Sequence, residues 1–246
     1  MDQNALIDLL GSRKIIYGFL RQIFLEGPTE EVLGSVRRLL DSRRPRDPGD
    51  DEIPGLDLIR QAISGSKDDE IPAGGGVEQL RDDLTREFNR LFIGPGRVSA
   101  SPYESVYRSP SRLLMQESTV DVRRAYLEAG LVMQRLGSVP DDHLGAELEF
   151  MFYLADRAAA EAVESRWEAV GRYLDLGRAF IKEHLLSWVG EFSKGVLGAT
   201  EDKFFRGLVT LLAEFLAQDL EFLQEVRPKD AGGSACPVYF ASEAAR

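Results

Sequence analysis

Apolar residues in this chain recur three and four positions apart in one segment after another, and no segment sustains the two-residue alternation of a half-buried strand. Leu6, Leu9, Leu10, Ile16, Tyr17, Leu20, Ile23 and Phe24 trace one such face as far as Gly27-Pro28, and Val32, Leu33, Val36, Leu39 and Leu40 trace the next, beginning at Thr29. The same spacing predicts a short helix over Leu56–Ile63 and a stripe from Val77 through Leu80, Leu84 and Phe88 to Leu91 and Phe92. Thr119 is the expected N-cap of a helix that reaches Ala129 and stops at Gly130, and Pro140-Asp141 the expected start of another through Leu144, Leu148, Met151 and Ala155. Trp167 to Phe192 reads as one long helix or two consecutive ones, and Phe204 to Leu223 as the last. The expectation is an all-α chain, a compact bundle of about eight to ten helices. Residues 1–225 would form a single helical domain and 226–246 an irregular tail. Breaker-rich stretches at Arg43–Pro54 and Gly65–Gly76 could act as hinges for helix exchange, so monomer and homodimer both stay open.

Composition narrows the partners. The 246 residues hold 30 Lys and Arg against 41 Asp and Glu, a net charge of −11, with a pI near 4.8. Nucleic acid and anionic lipid both demand a basic face, so neither is expected, whereas an acidic field favours a positively charged partner. The N-terminus, MDQNALIDLLGSRK, lacks the basic and apolar regions of a secretory signal, and no stretch has the ~20 apolar residues of a membrane span. We therefore expect a cytoplasmic protein without membrane insertion. Cys236 is the lone cysteine, which excludes an intrachain disulfide and a cysteine-rich metal site.

Catalytic chemistry finds little support. His143 and His184 are the two histidines. His143 and Glu147 lie four apart on one helix face, but two ligands without a third are weak grounds for a metal, and a capping or solvated pair is the simpler reading. His184, within FIKEHLLSW, reads as a hydrogen-bonded packing histidine. A G-x-S-x-G elbow is absent, and neither Gly94-Pro95-Gly96 nor Gly74-Gly75-Gly76 follows a strand as a phosphate cradle requires. No enzyme, no metal and no cofactor are expected.

The segment LFIGPGRVSASPYESVY, Leu91 to Tyr107, is too apolar for a linker and needs either a core to lie on or a partner to hold. Together with PDDHLGAELEFMFYL, Pro140 to Leu154, and the later FIKEHLLSWVGEF, it closely resembles the TorD/DmsD family of redox-enzyme maturation chaperones, over roughly residues 77 to 195. The resemblance implies a cytoplasmic, cofactor-free chaperone for a molybdopterin-containing oxidoreductase. Such a chaperone binds the client's twin-arginine signal peptide, its apoprotein, or both, before cofactor insertion and export. It further implies a binding surface at Leu91, Phe92, Pro102, Tyr103, Pro140, Asp142 and His143, with Tyr103 where some relatives carry Trp.

Residue chemistry suits that role. A twin-arginine peptide presents guanidinium groups and then an apolar run, so its receptor needs carboxylates beside an apolar groove. Asp142, Glu147 and Glu149 could supply the first, and Leu91, Phe92, Tyr103 and Phe150 the second. Structural roles fit the same residues: Asp142 could stabilise a helix N-terminus, Leu91 and Phe92 could be core, and Tyr103, Ser105 and Tyr107 could tie the loop down through their hydroxyls. Two competing functions are a cofactor-delivery protein binding molybdopterin or guanine nucleotide, and an assembly subunit that stays with the reductase.

Overall fold

A computed structural model describes residues 3–42, 53–64, 76–94, 98–131 and 139–226. Ten α-helices appear among them: α1 (Gln3–Glu26), α2 (Glu30–Ser42), α3 (Pro54–Ser64), α4 (Gly76–Phe88), α5 (Glu104–Arg108), α6 (Glu117–Glu128), α7 (Leu144–Val163), α8 (Trp167–Phe180), α9 (Leu186–Ala199) and α10 (Lys203–Glu225). The all-α expectation holds, and no strand occurs among the described residues, only one isolated bridge between Tyr103 and His143. All of the expected tail 226–246 but Val226, and all of the hinge stretches Arg43–Pro54 and Gly65–Gly76 but residues 53, 54 and 76, lie outside the described residues.

Two π-helical turns interrupt the α pattern. Asn89–Ile93 continues α4 without a break, and Ile181–Leu185 joins α8 to α9 so that the long helix expected from Trp167 is continuous. A π turn shifts the side chains that follow it around the helix axis and is found often at functional sites.

The core forms where helix faces meet. α1 lies along α7, α7 against α8, and α10 against both α3 and α9. The α3–α10 crossing depends on glycine: a Cβ at Gly207 would come within 2.6 Å of the Gly55 carbonyl oxygen, and one at Gly55 within 2.5 Å of the Leu211 nitrogen. Four phenylalanines meet around Phe92, whose ring centre lies 5.8 Å from Phe24, 5.1 Å from Phe88, 5.8 Å from Phe192 and 6.0 Å from Phe205.

One polar network lies inside this apolar frame. The buried guanidinium of Arg13 on α1 takes both carboxylate oxygens of Asp219 on α10, with Nη2 to Oδ2 at 3.1 Å, and the Tyr17 hydroxyl donates to Oδ2 at 2.6 Å. Burial beside that carboxylate drives the Tyr17 phenol well above its ordinary pKa. The pair fastens the first helix to the last.

Helix ends follow side-chain chemistry with two departures from expectation. Thr29 Oγ1 accepts from the Val32 N–H at 3.3 Å, and Asp202 Oδ1 accepts from Phe204 and Phe205 at 2.9 and 3.2 Å, as N-caps do. Thr119 is not a cap: α6 starts at Glu117 after Gln116, and the Thr119 hydroxyl lies buried in the first turn without a partner among the described residues. α7 begins at Leu144 rather than at Pro140-Asp141, because Asp141 and Asp142 form a turn and His143 caps the helix.

Candidate functional site

The two blocks singled out in the sequence meet at the Tyr103–His143 bridge. Leu144 N donates to the Pro102 carbonyl at 2.8 Å, and Glu104 N to the Asp142 carbonyl at 3.0 Å, which joins the start of α5 to the start of α7. Asp142 adds a side-chain tie: its fully buried carboxylate accepts from the Ser105 N–H at 2.9 Å and so caps α5 from the neighbouring turn. The His143 Nδ1 accepts from Gly145 N at 3.1 Å, capping α7, and burial lowers the imidazole pKa to about 4 against the opposing pull of Asp142. Gly145 leaves room for α1, since a Cβ there would sit 2.7 Å from Leu25 Cγ.

Beside this bridge a cleft of about 510 Å³ opens. The end of α1 (Phe24 to Gly27), the π turn of α4 (Phe92, Ile93), Pro102, Tyr103, Leu114 and His143 line it. Its floor is core, with Phe24, Phe88 and Phe92 4%, 7% and 5% exposed, while its rim is accessible, with Leu25, Ile93 and Leu114 at 41%, 64% and 48%. Such a surface, apolar and open, fits the side chains of a polypeptide. Among the described lining residues the charged one is Glu26.

The ten residues expected to bind a partner therefore divide. Phe92, Pro102, Tyr103 and His143 line the cleft; Asp142 and Pro140 hold its wall, Pro140 by accepting from His143 N at 3.1 Å. Leu91 and Phe150 are core, Phe150 packing between Tyr126 and Phe180 at 4.8 and 4.7 Å. Neither Asp142 nor Glu147 offers a carboxylate to solvent, because both side chains are fully buried. Glu149 is on the surface but occupied by Arg21, whose guanidinium also covers the Phe152 ring. The Ser105 hydroxyl has no partner among the described residues; its backbone N–H makes the tie instead. Leu25, Ile93 and Leu114 were missed by sequence reasoning, although the apolar run Leu113-Leu114-Met115 in a loop was a signal that could have found one of them.

Behind the bridge the buried Glu104 carboxylate receives His184 Nδ1 at 3.1 Å and Arg108 Nη1 at 2.5 Å. Glu147 Oε2 accepts from Trp188 Nε1 at 3.3 Å, while Oε1 meets no donor. Burial, and next the charge of Glu104, raise the Glu147 pKa well above the carboxylate range. A neutral Glu147 resolves the orphaned oxygen by donating its own proton to Glu104. Among the described residues no group of three or more His, Cys, Asp or Glu is placed to hold a metal, and no helix is long and apolar enough to cross a membrane.

The family model described as nitrate reductase delta subunit matches residues 58–194, more than half of the chain, including both residues of the bridge and the cleft lining other than the end of α1. The chain belongs to this family. Among its relatives are the TorD chaperone of Aliivibrio fischeri, 29% identical over 63% of this chain and 71% of that one, and the TorD chaperone of Photobacterium profundum, 30% identical over 59% and 66%. A probable Tat proofreading chaperone, DmsD of Haemophilus influenzae, is 25% identical over 56% of this chain and 61% of its own. The TorD/DmsD resemblance read from the two blocks is thus established for this family member.

Proposed function

We propose that this protein is a cytoplasmic maturation chaperone for a molybdopterin-containing oxidoreductase, one that holds the client's twin-arginine signal peptide or apoprotein before cofactor insertion and export and catalyses no reaction. The observation that carries this reading is the cleft at the Tyr103–His143 bridge, with its rim of exposed Leu25, Ile93 and Leu114 over a floor of phenylalanine. Complete burial of an exposed side chain of this size is worth about 1.5–3 kcal/mol, and the three half-exposed rim residues offer part of that each against the cost of ordering a peptide. The names of the TorD and DmsD relatives agree.

A phosphate-bearing pterin or nucleotide is a poorer fit to this cleft, whose described lining carries Glu26 and neither Lys nor Arg. An assembly subunit that stays with its enzyme is the second reading, favoured by the family's description as a subunit. Calorimetric titration with twin-arginine signal peptides of neighbouring molybdoenzyme genes tests the proposal. Saturable binding is expected; no binding to any such peptide or to apoenzyme would contradict it. Co-purification with mature, active enzyme would favour the subunit reading.

A further inference from the structure

A second, polar cleft of about 450 Å³ lies at the other end of α5. Tyr103, just before α5, lines the apolar cleft, and Arg108, the last residue of α5, lines the polar one. Five residues of helix separate them by a rise of only about 7.5 Å, the span of two or three extended residues.

Its two cations are already engaged. Arg108 is held by Glu104 at 2.5 Å and by the Glu183 carbonyl at 3.3 Å, and Arg124 by Asp121 at 2.6 Å. Two lining carboxylates are not: Glu128 and Glu183 are exposed and have no ion-pair partner among the described residues. Acidic groups alone would mean little, but His184 faces the same space. It is 5% exposed, its Nδ1 is committed to Glu104, and its Nε2 makes no hydrogen bond among the described residues. In the neutral ring that nitrogen is an acceptor, fixed in place by the carboxylate behind it. The ring belongs to the π turn Ile181–Leu185. Two free carboxylates and a buried acceptor nitrogen describe a receptor for a cationic group with several N–H donors.

We propose that this cleft is a cation subsite, in which Glu128, Glu183 and His184 Nε2 receive an arginine side chain of the polypeptide whose apolar segment occupies the neighbouring groove. It rests on the proposed function for its occupant, and it replaces Asp142, Glu147 and Glu149 as the carboxylate partners expected from sequence.

Imidazole NMR tests the subsite apart from the groove, because His143 and His184 are the only histidines in the sequence and His184→Gln assigns them. Acetyl-Arg-Arg-amide, which has no apolar segment, is expected to shift the His184 resonances saturably and leave His143 unmoved, and acetyl-Gln-Gln-amide to shift neither. The exposed double variant Glu128→Gln/Glu183→Gln is expected to abolish the shift. With full signal peptides, replacing both arginines by glutamine is expected to weaken binding to the unsubstituted protein at least about tenfold, and to the double variant by less than about twofold. His184 resonances indifferent to the arginine dipeptide, or a double variant that discriminates the two peptides as before, would overturn the subsite. Failure of both full peptides to bind while the dipeptide still shifts His184 would overturn the groove instead.

Discussion

Tyr103 and His143 face one another across a single antiparallel bridge, their ring centres 5.0 Å apart at 70°, and this contact unites two sequence blocks about forty residues apart into one wall of the cleft. Everything behind that wall works to keep it still: Asp142 caps α5, His143 caps α7, and the Tyr126 hydroxyl holds the Asp141 carbonyl at 2.9 Å.

The part played by Asp142 separates two substitutions. Asparagine keeps an oxygen for the Ser105 N–H, whereas alanine removes it, at a cost of about 0.5–2 kcal/mol as for other lost caps. We expect Asp142→Asn to bind signal peptide within about twofold of the unsubstituted protein and Asp142→Ala to bind about five- to tenfold more weakly, with a lower Tm. Equal loss in both, measured by calorimetry, would mean that the charge meets the peptide directly.

His143 makes the wall sensitive to acid. Its folded pKa of about 4 is below the ordinary 6.5, so the folded state resists protonation. The associated stability is fully present above about 6.5 and is lost as pH falls toward 4. A protonated Nδ1 can no longer accept from Gly145, so the α7 cap is released in the same range. An imidazole titration should show His143 neutral at pH 5.5, and peptide affinity falling between pH 5 and 4.

Glu147 runs the other way. Its pKa is raised by burial and by Glu104, so its contribution falls as pH rises above 4.5 toward the folded value. Glu147→Gln preserves shape, supplies an N–H toward Glu104, and removes the titration. Denaturant melts should therefore show the variant gaining stability relative to the unsubstituted protein from pH 5 to pH 8, by at least about 1 kcal/mol.

The Arg13–Asp219 pair is purely structural. Removing one partner strands the other charge in the core, and Asp219→Ala is expected to cost about 3–5 kcal/mol in a denaturant melt. Neither residue lines either cleft, so peptide affinity of the folded variant should be unchanged.

The helices were legible because each buries one face: the apolar stripes of α1, α2, α7 and α10 contain the core residues that packing selects. Helix starts were less so, since the turn at Asp141-Asp142 and the cap at His143 depend on a bridge to Tyr103, which periodicity cannot register. The two blocks do meet in space at the Tyr103–His143 bridge, but the sequence did not indicate which side chains face outward. Asp142 and Glu147 carry charges that suggest exposure, and their burial depends on a backbone donor from α5 and on Trp188 from α9. Ile93 adjoins the buried Phe92 in the same π turn and stands 64% exposed, a distinction that no spacing rule predicts.

The most direct test of the groove is one calorimetric comparison of the unsubstituted protein with Ile93→Asp, titrated with the same twin-arginine signal peptide. Ile93 lies on the rim and outside the core, so the Tm should stay within about 2 °C. We predict a loss of affinity of at least about tenfold. Undiminished binding by a fully folded Ile93→Asp protein would contradict the placement of the peptide in this cleft.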